Sequence, residues 1–502
     1  MGNKRGTLIQ FFHWYTPSDG SLWDRLSQQA AELAESGFTV VWIPPAYKGH
    51  AGQNDTGYGV YDLYDLGEFD QKGSIETKYG SKKSLLRAID VAQQHELQVY
   101  ADIVLNHRMG ADEIERAQAI PYDRSDRSHP AGDSEEIEAY TKFTFPGRKG
   151  MYSSYVWDHT HFDAVDHNLK DPDNHNTLYM FEGKTFDNQV SEEFGNYDYL
   201  MGCDLDFDSE AVRQELIQWG KWFVDQTGIN GFRLDAVKHI PSWFFPSWLI
   251  ALQEHVGHDL FTVGEYWSPQ ITHLHEYINQ SQGMISLFDV PLHFNFHRAS
   301  KEGSAFPLNE VFAHTLVAED PSHAVTFVAN HDSQPLQALE SVVEPWFKPL
   351  AYALILLRTE GYPCVFLADY TGAQYTDTGN DGNTYTIEMP SFKNLIDTML
   401  NLRKTSLGGR QHDYFDHPNT IGWSFEGDQS YTKAIAVIMS NGDAGVKRMA
   451  TGKPSTQFFD VTHHVEDPIL TDDHGIGEFL CKEKSVSVWV ESSSKREITF
   501  MD

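Results

Sequence analysis

The 502 residues predict an α/β chain: a (β/α)8 barrel with a small domain inserted after the third strand and an antiparallel β domain at its C-terminal end. Three observations carry this. Eight short apolar runs, rich in β-branched and aromatic residues, alternate with helix-like segments. One interval, His107 to about Asp208, breaks the rhythm with Asp, His, Tyr and Gly, and is too long for a plain loop in a compact domain. After about Gly409 the pattern turns to short alternating strands, such as Thr420 to Phe425, Ala434 to Ile438 and Val486 to Val490.

In chain order the barrel strands are expected at Thr7 to Phe12, Phe38 to Pro44, Gln98 to Leu105, Gly231 to Val237, Leu260 to Tyr266, Ile285 to Val290, Ala324 to Ala329 and Tyr362 to Leu367. Helices are expected from Ser21 to Glu35, stopped by Ser36-Gly37, and from Ser81 to His95. A third starts at Ser209 as N-cap, buries Val212, Leu216, Trp219 and Phe223, and ends near Gly228. These bounds divide the chain into a barrel (residues 1–107 and 209–409), an inserted domain (108–208) and a C-terminal β-sandwich (410–502).

Composition excludes several classes. Lys and Arg total 38 against 72 Asp and Glu, a net charge of −34, so the surface repels polyanions and neither nucleic acid nor an anionic membrane is an expected partner. The 3 cysteines, Cys203, Cys364 and Cys481, are far apart and without a CxxC spacing, which argues against a disulfide framework or thiolate zinc site. The Met1 to Arg5 start runs into an apolar stretch too short for a signal peptide, and no run of about 20 apolar residues follows, so a cytoplasmic, monomeric protein is expected.

In such a barrel the chemistry sits at the carboxyl ends of the strands. The third run ends in Asn106-His107, the fourth holds Arg233-Leu234-Asp235 followed by Lys238-His239, the fifth ends in Glu265-Tyr266-Trp267 and the seventh in Asn330-His331-Asp332. Arg233 and Asp235 alternate with apolar Phe232 and Leu234, so both point to one side of a buried strand, where an unpaired charge is expensive. Carboxylates with an arginine and histidines suit glycosidic cleavage through an oxocarbenium-like transition state. A metal-dependent barrel hydrolase using His13, His107, His239 and His331 is the rival, weakened by the absence of HExxH and by the cation at Arg233.

Together, Asp102 to His107, Gly231 to His239, Gly264 to Trp267 and Phe327 to Asp332 resemble, in order, the conserved regions of the α-amylase glycoside hydrolase family. Gln10 to Tyr15, Tyr58 to Phe69 and Asn196 to Met201 resemble its bacterial liquefying subgroup. The resemblance implies retaining, endo-acting cleavage of α-1,4-glucosidic bonds in starch, glycogen and maltodextrins. Maltooligosaccharide-forming amylases and 4-α-glucanotransferases of the same family are the alternatives, and a catalytically dead binding barrel is disfavoured.

By position in the motifs, the resemblance makes Asp235 the nucleophile, Glu265 the general acid/base and Asp332 the third carboxylate. Arg233, His107 and His331 would orient them, with Lys238 and His239 toward the leaving group and Trp14, Tyr15, Tyr58 and Trp267 as sugar platforms. It also implies structural calcium at Asn106, Asp198, Asp204 and the His239 carbonyl, and sodium or a second calcium at Asp163, Asp187 and Asp206. Two departures stand out: Phe366-Leu367-Ala368-Asp369 where the family has Phe-Tyr-Gly-Asp, and His13 in place of an acidic residue. Asn330 is not replaced by a cation, so chloride dependence is not expected, and the chain leaves no room for an added starch-binding module.

Overall fold

A computed structural model describes residues 6–491. Residues 1–5 and 492–502, which the sequence assigned to the barrel start and the C-terminal domain, lie outside the described residues.

Eight parallel strands close a barrel in the ring order first, eighth, seventh, sixth, fifth, fourth, third, second. They are Leu8–Gln10, Val40–Ile43, Gln98–Ile103, Gly231–Leu234, Phe261–Gly264, Ser286–Phe288, Ala324–Phe327 and Tyr362–Phe366. Each falls inside an expected apolar run, because a strand covered on both faces reads as a continuous hydrophobic stretch. The registers Leu8↔Cys364 and Leu8↔Val40 close the ring, and Arg233↔Asp102 sets a cation beside a carboxylate inside it.

The first helix, Leu22–Ser36, buries Leu22, Trp23, Leu26, Ala30 and Leu33 and stops at Gly37, whose φ of 114° needs a residue without Cβ. The second, Lys82–Gln94, is capped by Ser81, which accepts a bond from the Ser84 amide. The third, Glu210–Thr227, buries the predicted stripe and ends at left-handed Gly228. One expectation needs correcting: Ser209 holds the N-cap position, but its side chain makes no capping bond. Its amide donates instead to Asp206 Oδ1 at 3.0 Å.

The strands end earlier than the apolar runs do. The fourth stops at Leu234, since Ala236 turns into the left-handed region at φ 49° and a short 3-10 turn, Val237–His239, follows. A non-glycine residue there is strained, and such strain gathers where a site needs a particular side-chain direction. The reactive side chains therefore lie just past the hydrogen-bonded ladder.

The interval between strands three and four is an antiparallel sheet. His107–Arg108 pairs with Cys203–Leu205, and Phe162–Val165, Thr177–Phe181 and Glu113–Asp123 follow. Asp126–Pro130 and Glu135–Lys142 both pair with Glu113–Asp123. The His107↔Asp204 register stitches this sheet to the barrel mouth. At the other end, a six-stranded antiparallel sheet and the ribbon Gly445–Ala450 with Ile476–Cys481 share a core of Ile438, Met449, Phe458, Phe479 and Trp489. Trp423 Nε1 donates to the Leu357 carbonyl at 2.7 Å and ties that sheet to the barrel.

Unexpected from the sequence is a hairpin after the eighth strand, Ala373–Thr378 with Thr384–Met389, at the barrel mouth beside Tyr15. The departing segment before it has a local reason: Asp369 is fully buried and bound by Lys348 and by the Tyr352 hydroxyl.

Candidate active site

Arg233 is the hub. From the middle of the fourth strand its Nη1 donates to Asp102 Oδ1 at 2.8 Å and to Asp235 Oδ1 at 2.5 Å, and its Nη2 donates to Glu265 Oε2 at 2.8 Å. Side-chain exposure is 1% for Arg233 and 8% for Glu265, so these contacts form in a poorly screened interior. The strained turn adds to the arrangement: the Ala236 amide donates to Glu265 Oε2 at 3.2 Å.

Desolvation and neighbouring carboxylates disfavour charge at the mouth. Burial pushes Glu265 up to about 7, with Arg233 opposing and Asp235 assisting. Burial likewise raises Asp332 well above the ordinary carboxylate range, helped by Glu265. Two carboxyl groups held by one guanidinium, with one poised near neutrality, can supply a nucleophile and a proton donor.

The predicted histidines are neutral partners. His107 Nε2 lies 2.8 Å from the Tyr58 carbonyl, which can only accept, so this nitrogen carries the proton, and burial lowers the ring's pKa. His331 Nδ1 faces Gln10 Nε2 at 2.9 Å, while its Nε2 is 3.2 Å from Asp332 Oδ2. Burial and Arg233 hold His331 well below its usual pKa. Trp14, Tyr58 and His331 form a stack: centroids are 5.9 Å apart for Trp14 and Tyr58, and 5.1 Å for Tyr58 and His331.

Other predicted residues lie around this centre. Lys238 pairs with Glu193 at 2.9 Å beside a cavity of about 350 Å³ that Tyr266 and His273 also line. Trp267 is half-buried against His293, Phe294 and Phe327, so part of its ring serves packing. Tyr15 turns toward the hairpin and stacks on Tyr375, with centroids 3.8 Å apart. The four histidines of the rival metal reading do not gather. Among the described residues, the one group of three or more His, Cys, Asp or Glu close enough to share an ion is Asp163, Asp187 and Asp206.

Sequence reasoning assigned no role to Asp102. It accepts bonds from Trp42 Nε1 at 3.1 Å, Tyr58 OH at 2.9 Å and Arg233, and burial pushes it up to about 6. The signal was present: an acid inside the apolar run Val99 to Val104 is as anomalous as Arg233 in the next strand.

The acidic residues form a second buried group where the inserted sheet meets the barrel. Asn106 Nδ2 donates to Asp204 Oδ1 at 3.1 Å, and the Asp187 amide donates to Asp198 Oδ2 at 2.8 Å. Burial and mutual repulsion push Asp163 up to about 10 and Asp187 up to about 7. Asn106 Oδ1, Asp163 Oδ2 and Asp204 Oδ2 are buried without a hydrogen-bond partner among the described residues. Such crowding of hard oxygen donors fits a divalent cation. The Nδ1 of His239 is engaged separately, 2.6 Å from the Tyr197 carbonyl.

Comparison with known proteins agrees with this geometry. Residues 22–398 match the family described as Alpha amylase, catalytic domain. The chain is 46% identical over 492 residues to the cytoplasmic alpha-amylase of Escherichia coli K12, covering 97% of this chain and 99% of the relative. It is 48% identical over 491 residues to an alpha-amylase of Geobacillus stearothermophilus, covering 97% and 87%. In fold it is similar to an acarbose-complexed alpha-amylase of Geobacillus thermoleovorans, with a TM-score of 0.62 at 16% identity and coverage of 97% and 98%.

Proposed function

The chain belongs to the alpha-amylase family of glycoside hydrolases, and from that premise we propose how its residues share the work. It is an endo-acting enzyme that hydrolyses internal α-1,4-glucosidic bonds of starch and related glucans. Asp235 attacks the anomeric carbon while Glu265 protonates the departing glycosidic oxygen, leaving a glycosyl ester on Asp235. Glu265, now ionised, takes a proton from water, which attacks the anomeric carbon and releases the sugar with retained configuration. Asp332, with His331 beside it, holds ring hydroxyls, and His107 does the same from just beyond the third strand. Arg233 binds Asp235 and aims Glu265 through the same guanidinium. The Trp14, Tyr58 and His331 stack offers a face to sugar C–H groups.

The observation that carries this reading is the sharing of Arg233 by Asp235 and Glu265. The test is reducing-end release from soluble starch by wild type and Glu265→Gln, purified in parallel with calcium. The expected result is activity in wild type and a loss of about 10²–10⁴-fold in the variant. Comparable activity in both would remove Glu265 from its role.

Calcium is read as a structural ion. Asn106, Asp198, Asp204 and the His239 carbonyl would hold one ion, and Asp163, Asp187 and Asp206 would hold a sodium or second calcium. When bound, the ions neutralise the buried carboxylates and pin the inserted sheet, read as a separate domain over residues 108–208, to the barrel (1–107 and 209–409). The third unit, 410–502, is read as a β-sandwich.

A cytoplasmic setting is supported by the likeness to a relative named cytoplasmic, and maltodextrin or glycogen-derived chains as substrate and a monomeric enzyme are part of the same proposal. The free, buried state of Cys203, Cys364 and Cys481 agrees with it. Among the described residues no helix is long and apolar enough to cross a membrane.

A further inference from the structure

The hairpin after the eighth strand has one face buried and one open. Ala373, Tyr375, Ile387 and Met389 pack with Leu336 and Tyr15 over Ala329 and Phe366, whereas Gln374, Thr376, Thr386 and the other outward residues are polar. Its inner face and the loop after the seventh strand together hold Tyr15 from three sides. Tyr375 stacks on the ring at 3.8 Å and 14°. Asp377 Oδ2 accepts the Tyr15 hydroxyl at 2.6 Å, and Gln337 Nε2, from the loop after the seventh strand, donates to that hydroxyl at 2.8 Å. Tyr375 is itself anchored, its hydroxyl donating to the Pro335 carbonyl at 3.0 Å. Three separate loops thus meet on one half-buried aromatic ring.

Tyr15 directly follows Trp14, which stacks on Tyr58 and His331 at the catalytic mouth. The ring order of the barrel gives direction. The first and eighth strands, whose following segments bring Tyr15 and Tyr375 together, are four and three steps from the fifth, so this pair lies on the far side of the ring from the strand that Glu265 follows. The leaving portion of a glucan departs on the side of the acid, where Lys238 and its cavity lie. The opposite side faces the glycone, the part retained on the nucleophile.

We propose that the hairpin 373–389 is a specificity element: Asp377 and Tyr375 fix Tyr15 as a rigid sugar platform for the glycone end of the chain and so set how many glucose units bind on that side. This rests on the reading of Asp235 and Glu265 given above. Holding the ring before substrate arrives removes an ordering penalty from binding. Asp377 is therefore a positioning residue: it touches Tyr15 and acts through it.

The test compares wild type, Asp377→Ala and Asp377→Asn on maltoheptaose labelled at its reducing end, reading KM, kcat and the frequency of cleavage at each bond. Asp377→Ala should raise KM about fivefold, the worth of one hydrogen bond, with kcat little changed. It should also shift cleavage toward bonds that leave fewer glucose units on the glycone side. Asp377→Asn keeps a carbonyl oxygen to accept the Tyr15 hydroxyl and should restore the wild-type pattern. Gln337→Ala, which removes the tether from a different loop, should shift the pattern in the same direction and guards against a misfolded hairpin. An unchanged cleavage pattern in Asp377→Ala and Gln337→Ala, with wild type active on starch, overturns the proposal alone. Equal loss in Asp377→Ala and Asp377→Asn also overturns it, because charge would then matter and positioning would not. A wild type inactive on starch overturns the reading of the site itself.

Discussion

Two of the groups of buried carboxylates among the described residues manage their repulsion by different means. At the barrel mouth, Asp102, Asp235 and Glu265 share the guanidinium of Arg233, a covalently supplied cation. At the junction with the inserted sheet, Asp163, Asp187, Asp198, Asp204 and Asp206 crowd together, and the ion pair among them is Lys184 with Asp206. Arg127, close by, spends its hydrogen bonds on the Arg124, Asn196 and Tyr199 carbonyls. A protein-borne cation leaves one carboxyl free to exchange a proton, which catalysis needs. A shortfall of cation calls for a bound ion, which holds its ligands ionised and still.

The comparison breaks most readily at its hub. Arg233→Met leaves three buried carboxyl groups without their partner, and should lower unfolding free energy by about 3–5 kcal/mol and abolish starch hydrolysis. Denaturant melts and a reducing-sugar assay read both. A variant that keeps stability and activity would show that the guanidinium does not balance the mouth.

Removal of metal probes the other cluster. A ligand at a hundred times its dissociation constant contributes about 2.7 kcal/mol, so chelator should lower the thermal midpoint of the wild type and calcium should restore it. Asp204→Asn should shrink that response. An identical melting curve with and without chelator would mean the junction is not held by an ion.

The finest test is pH. Glu265 is raised from its ordinary 4.5 to about 7, so it keeps its proton through mildly acidic conditions and loses it as pH rises past that value. Because only the protonated acid can donate to the leaving oxygen, kcat/KM should decline on the alkaline side, about tenfold per pH unit beyond about 7. A flat profile to pH 9 would contradict the assigned acid.

Much of this was legible in the linear chain. All eight barrel strands lie within the apolar runs, since a strand buried on both faces must be written in Val, Ile, Leu and aromatics. The carboxylates, Arg233 and the histidines stood out as polar residues closing those runs. What escaped notice has physical reasons. Asp102 looked like the start of a motif until the register set it opposite Arg233. The hairpin of Ala373–Thr378 and Thr384–Met389 carried a partial signal, Tyr385, Ile387 and Met389 alternating with Thr and Glu after the Gly379-Asn380-Asp381-Gly382 turn, but its first strand, mostly Gln, Thr and Asp, does not complete the pattern. In the inserted sheet Glu113–Asp123 and Glu135–Lys142 are largely polar and partly exposed, while the buried strands Phe162–Val165 and Thr177–Phe181 are very short, so the interval could be recognised as separate but not divided into elements.

The sequence by itself determined the barrel, its interruption and the inventory of reactive groups, because burial imposes a composition on each strand and polar residues at strand ends interrupt it. Only the tertiary structure decided which of those groups meet. Arg233, Asp102, Asp235 and Glu265 come from three strands and their ends, and Tyr15 meets Gln337 and Asp377 from loops 322 and 362 residues away. Hydrogen bonding and charge pairing act over a few ångströms in space, a distance that only barrel closure creates from so long a chain.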